Sequence, residues 1–175
     1  MDLKKHLIGR NLKWNWDAIC VYLIKHPHQI PELISFCQAE ETIVQQNAGA
    51  VLGKLVDHDK KVLNPYQKEI TQLLNIELHD AVYRAVMRVF QLIEIDEEVE
   101  GYLYDAVIRF LRNPEAPIAV KAFGMTAGRR ICEKYPELAQ ELYPIIETLV
   151  DQKLSAGIVS RGKKELRILS TLLDE

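Results

Sequence analysis

The feature that most constrains this chain is a self-similarity running along it. Four ten-residue segments, 43–52, 80–89, 117–126 and 157–166, align without gaps so that Ala48, Ala85, Ala122 and Gly162 coincide, at intervals of 37, 37 and 40 residues. A period of this size marks a supersecondary unit that cannot bury its apolar face alone and must stack on its neighbours. In the second copy Val82, Ala85, Val86, Val89, Leu92 and Ile93 follow the 3.6-residue period of an amphipathic helix. A small residue within that stripe lets a second helix come close, so each segment is read as a helix that needs a partner.

Each has one. Helical stretches are expected over 31–39, 66–74, 99–111 and 138–149, each preceding a repeat segment, with a further N-terminal helix over Trp16–Lys25. Breakers punctuate the series at Asn64-Pro65, Asn113-Pro114 and Tyr135-Pro136, since the residue before a proline is pushed out of the helical region. A period of about 37 to 40 built from two helices matches HEAT or armadillo-type repeats. The tetratricopeptide pattern of Trp, Leu-Gly, Tyr and Pro is absent. The expectation is an all-α, HEAT/armadillo-like superhelix of about four helix pairs plus an N-terminal helix, forming a single domain over 1–175. Trp14 and Trp16 are read as covering its open end, and Gly49, Gly53, Gly124 and Gly128 as permitting close helix packing rather than binding phosphate.

Ala119–Thr126, Ile131–Pro136 and Ser155–Gly162 together resemble a group of small bacterial helical-repeat proteins, some of which carry the label adenylosuccinate lyase. The resemblance implies the fold. The lyase activity would need the family's signature loop of adjacent serines followed by a Met-Pro step. Here Ser35, Ser155, Ser160 and Ser170 stand apart, and no Met precedes a Pro.

Composition sets further bounds. A net charge of −3 gives no general affinity for nucleic acid. No stretch reaches the ~18 apolar residues of a membrane span, and residues 1–10 lack the apolar core of a signal peptide. Cys20, Cys37 and Cys132 sit in apolar runs without metal-like spacing, as expected of free thiols in a reducing cytoplasm. Among the histidines, His26-Pro27-His28 and Asp57-His58-Asp59 place candidate ligands close in sequence, but neither spacing dictates a zinc geometry, and surface histidines and a polar turn account for both. No nucleophile elbow, phosphate loop or Cys pair occurs, so no catalytic, cofactor or metal residue is assigned and enzymatic activity is not expected.

Charge divides between the two helices of each pair. The first helices sum to −9, from −2 over 31–40, −1 over 65–77, −3 over 96–112 and −3 over 137–154. The second sum to +4, from −1 over 41–57, 0 over 80–94, +2 over 115–134 and +3 over 155–171. The 37-residue alignment makes Arg84, Lys121 and Arg161 equivalent, a basic ladder that Arg88, Lys163, Lys164 and Arg167 extend. Arg84, Arg88, Lys121, Arg161 and Lys164 are therefore the candidate partner-binding residues. The first reading is a non-catalytic scaffold binding a protein partner on the concave face of the solenoid, as repeat proteins do. The second is nucleic-acid binding, in the manner of the HEAT-like alkylpurine DNA glycosylases, which the chain resembles in architecture alone. Solvated, locally paired helix faces would account for the same charges. The same alignment puts Arg129 and Arg130 where other copies carry core residues such as Leu92 and Ile93, unless the third helix is slipped by one residue and buries Ile131.

Overall fold

A computed structural model describes the backbone of residues 1–8 and 13–174, and the side chains of 1–8 and 15–174. The described residues are all-α, with ten α-helices and short 3-10 turns between them. The helices are α1 (Leu3–Leu7), α2 (Lys13–Lys25), α3 (Ile30–Phe36), α4 (Thr42–His58), α5 (Gln67–Gln72), α6 (Asp80–Leu92), α7 (Glu97–Arg112), α8 (Ile118–Cys132), α9 (Ala139–Asp151) and α10 (Ala156–Leu173). Contacts gather into two compact units, Met1–Val99 and Glu100–Glu175.

Within the first unit α4 is the central element, packing against α1, α2, α3 and α6. Its approach to α6 is set by Gly49 and Gly53, one helical turn apart. A Cβ on Gly49 would stand 3.1 Å from the Ala81 carbonyl oxygen and 3.2 Å from Val82 Cα; on Gly53 it would stand 3.2 Å from Ala85 Cα. Backbone meets backbone there, which is the close packing read from these glycines. Helix α1 is an element the sequence reading missed. Asp2 caps it by accepting from the Lys5 N–H at 3.1 Å, and Leu3 and Leu7 are fully buried. One turn is too short to show a period, and only burial against α4 reveals it. The Trp14 side chain lies outside the described residues. Trp16 is half-buried, with its indole nitrogen enclosed and without an acceptor among the described residues.

His79 is the N-cap of α6. Its Nδ1 accepts from the Ala81 N–H at 3.1 Å, its own N–H donates to Gln45 Oε1 at 2.5 Å, and the Gln46 amide meets Nε2 at 2.7 Å. The loop into α7 is tied by Gln67, whose amide donates to the Glu94 carbonyl and accepts from the Asp96 N–H, both at 2.9 Å.

Within the second unit α10 packs on α8 and α9. Gly128 of α8 lies where a Cβ would come 3.1 Å from both Leu142 of α9 and Val107 of α7, so one small residue serves two neighbours. Tyr104 donates its hydroxyl to the Leu138 carbonyl at 2.9 Å, and burial pushes the pKa of its phenol far above the ordinary tyrosine value. Gly101, by contrast, is exposed in α7, and a methyl placed there would meet nothing within 4 Å. It weakens the helix and packs against nothing. Gly101→Ala is expected to stabilise the protein by about 0.5–1 kcal/mol in urea denaturation; an unchanged midpoint would mean that the helix does not form there as described.

Burial gives the repeat its register. Val44, Val82, Val120 and Ile158 are all buried at a constant interval of 38 residues, and so are Ala48, Val86, Gly124 and Gly162. The same interval relates Val51, Val89, Ala127 and Glu165, then Leu55, Ile93, Ile131 and Leu169, again all buried. The alignment on Ala48, Ala85, Ala122 and Gly162 is therefore corrected: Ala122 is only half-buried, and 38 replaces 37, 37 and 40. Ile131 is the core residue at the end of α8, as the one-residue slip requires. Arg129 then falls in register with Gly53, Gln91 and Arg167, a position where no copy carries a large apolar side chain.

Candidate functional site

The constant interval of 38 separates the cations that alignment on small residues joins. Arg84 now corresponds to Ala122, Lys121 to Tyr83, and Arg161 to Phe123, so the three do not form a ladder of equivalent positions. Their environments differ as well. Arg84 is exposed on α6. Arg88, one turn on, is held by Asp57 of α4 at 2.6 Å. Lys121 is 1% exposed. Arg161 donates to Thr126 Oγ1 at 2.7 Å, with Glu165 at 3.9 Å. Lys164 is exposed on α10.

Glu165 is what the sequence reading did not find. It is 0% exposed at the register position of Val51, Val89 and Ala127, a carboxylate in a valine site. A charge there needs partners, because leaving water costs several kcal/mol per ion. Thr126 donates to its Oε1 at 2.6 Å and Arg129 Nε to its Oε2 at 2.9 Å, and Arg129 in turn meets Glu133 at 2.5 Å. With Arg161 behind Thr126, two cations and two carboxylates close a network linking α8 to α10. That network is the reason Arg129 is 13% exposed without disrupting the core. The constant interval in the sequence was the signal that could have found it.

Helix α10 has two faces. Ile158, Gly162, Glu165 and Leu169 are buried, while Lys163, Lys164 and Arg167 are exposed together on the opposite side. Three positive side chains at i, i+1 and i+4 make one basic patch, since residues four apart are neighbours on a helix. The +3 charge of this segment is thus carried to solvent, its one carboxylate being internal.

Lys121 belongs to a different setting. Its Nζ has one acceptor within reach, the Pro114 carbonyl at 3.4 Å, and burial lowers its basicity, with Glu115 opposing. Lys121, with Leu111, Pro114, Ile145 and Leu149, lines a cleft of about 250 Å³. A lysine whose folded basicity lies below its unfolded value of 10.5 takes up its proton more readily when unfolded, so its contribution to stability rises with pH until that value is reached. Lys121→Met is therefore expected to melt about 2–4 °C higher at neutral pH and to show a smaller gain on raising the pH toward 10. A lower melting temperature would contradict the cost assigned to the buried ammonium.

The other groups singled out by sequence are accounted for locally. His26 stacks on Tyr22 with centroids 4.1 Å apart and lies 6.0 Å from His28; His58 meets Asp17 at 2.8 Å. The Lys54 ammonium and then His58 hold the Asp17 carboxyl below its ordinary value. No three His, Cys, Asp or Glu side chains converge as metal ligands among the described residues. Cys20, Cys37 and Cys132 are free and buried, and burial pushes each thiol up to about 12, well away from the reactive thiolate. Among the described residues no helix is long and apolar enough to cross a membrane.

Helix pairs repeating at a fixed interval, with glycines where neighbouring helices come closest, define an all-α repeat protein. A sequence model of the HEAT repeat domain matches residues 3–169, and the chain belongs to that family. No curated protein and no solved structure matches it. The match concerns the repeat itself and lends the lyase label nothing. HEAT repeats commonly serve as scaffolds for protein interaction.

Proposed function

We propose that this chain is a non-catalytic binding module whose second helices meet a protein partner, with an acidic segment of that partner lying along the exposed face of α10. The observation that carries the reading is the patch of Lys163, Lys164 and Arg167, solvent-facing on a helix whose opposite side is buried. Arg84 on α6 adds an exposed cation to the same class of helix. Arg88, Lys121 and Arg161 are left out of this surface, since each is paired or covered. A protein is favoured over nucleic acid because the chain is acidic overall at −3, and generic phosphate binding needs a positive field around the site.

Affinity capture from host lysate tests this, comparing the wild type with Lys163→Glu, Lys164→Glu and Arg167→Glu combined. These side chains are exposed, so the variant is expected to fold normally and to recover its partners at least ten-fold less well. Equal recovery would remove the α10 face from the function. Recovery abolished by nuclease, with an affinity for generic duplex that falls steeply with salt, would replace the protein reading by the nucleic-acid one.

A further inference from the structure

We propose that the cleft between α8, α9 and the end of α7 is a receptor for a small carboxylate with an apolar body, anchored by the Lys121 ammonium. The site is separate from the α10 face and rests on different observations.

The fold does not require a charge at position 121. In the constant register the equivalent residues are Gln45, Tyr83 and Val159, and none of the three is an ionisable base. Lys121 is nonetheless 1% exposed, where a buried ammonium is stable only with strong partners. It has three N–H donors and meets one neutral acceptor, the Pro114 carbonyl at 3.4 Å. The donors of an ammonium so placed are matched by a ligand that brings negative charge.

The other polar groups at the cleft are engaged or lie in solvent, Gln152 being exposed just past α9. Arg112 is largely exposed and paired with Glu141 at 3.0 Å, and the Thr148 hydroxyl donates to the Pro144 carbonyl at 2.8 Å. Lys121 is left as the anchoring cation. The remaining wall is apolar, from Leu111, Pro114, Ile145 and Leu149, which suits a hydrocarbon body better than a second charge. The volume of about 250 Å³ is far above the ~10–15 Å³ that a single water needs, and below the span of drug-sized sites, so it fits a short chain or one ring. Binding there would also return to the lysine the basicity that burial takes away.

The test is amide NMR of the whole protein titrated with hexanoate, with N-acetyl-leucine as a mimic of a peptide terminus, and with hexanamide as the neutral isostere of hexanoate. Saturable shifts confined to residues near 111–121 and 145–152 are expected with the carboxylates, and at least ten-fold weaker binding for hexanamide. Which carboxylate binds more tightly tells a free acid from a chain terminus. Lys121→Met and Lys121→Gln are each expected to lose binding at least ten-fold while keeping a wild-type spectrum elsewhere. Equal binding of hexanamide and hexanoate, no saturable shift with either carboxylate, or undiminished binding by folded Lys121 variants would overturn the proposal. Should both variants fail to fold, the comparison of acid and amide on the wild type still decides it.

Discussion

Glu165→Val is expected to lower stability by about 3 kcal/mol, although valine is what two of the other three repeats carry at that register position. The substitution removes the carboxylate from between Thr126 and Arg129, which bond its two oxygens at 2.6 and 2.9 Å. Arg129 would then be left 13% exposed with Glu133 as its remaining carboxylate, and the Thr126 hydroxyl without its acceptor. Breaking a buried pair on one side costs about 3–5 kcal/mol, and the surviving Glu133 contact places this case at the lower end. In a protein of this length that corresponds to a melting temperature about 6–12 °C lower. Pairing it with Arg129→Met removes the orphaned charge and is expected to recover most of the loss, because replacing a whole buried pair by apolar groups is often neutral. Urea denaturation of the two single variants and the double gives the coupling directly. Additive losses would show that Glu165 and Arg129 do not act together.

The second large effect concerns the helix contact at Gly49. Gly49→Val is expected to cost about 3 kcal/mol, at the upper end for overpacking, because the obstacle is backbone and not a side chain that can turn away. A Cβ alone would lie 3.1–3.2 Å from the Ala81 carbonyl and Val82 Cα, and the valine methyls would force α4 and α6 apart. Gly157→Val at the start of α10 is the control, since a Cβ there meets only the Ser155 hydroxyl, at 3.7 Å. Thermal denaturation that ranks the two variants equally would show that close approach is not what Gly49 provides.

These two residues also separate what the sequence makes visible from what it hides. Gly49 is legible with Gly53, because two glycines one helical turn apart suit close packing, whereas the lone Gly101 packs against nothing. The helix pairs are legible for the same kind of reason. Proline breakers and the 3.6-residue period place α4, α6, α7, α8, α9 and α10 close to their observed bounds, although propensity alone leaves out α1. Register is harder. Aligning on small residues joins Ala85 to Ala122, because alanine is common on both the buried stripe and its edges, and that shift of one residue makes Arg84, Lys121 and Arg161 look equivalent. The valines, isoleucines and leucines at 44, 82, 120 and 158, and at 55, 93, 131 and 169, hold the true interval. Branched apolar side chains are concentrated at the centre of the stripe, with Ile43 and Ile118 exposed at helix starts, and are better markers than alanine.

The sequence by itself determined the class of fold, its helix pairs and the charge that separates first from second helices, because each follows from local periodicity and composition. Tertiary structure decided which charges reach solvent. Lys121 and Glu165 are covered while Lys163, Lys164 and Arg167 are exposed, and charge alone does not distinguish them. Whether a lysine lies in a cleft or on a surface depends on which helices pack over it, and that is fixed by contacts between residues far apart in the chain.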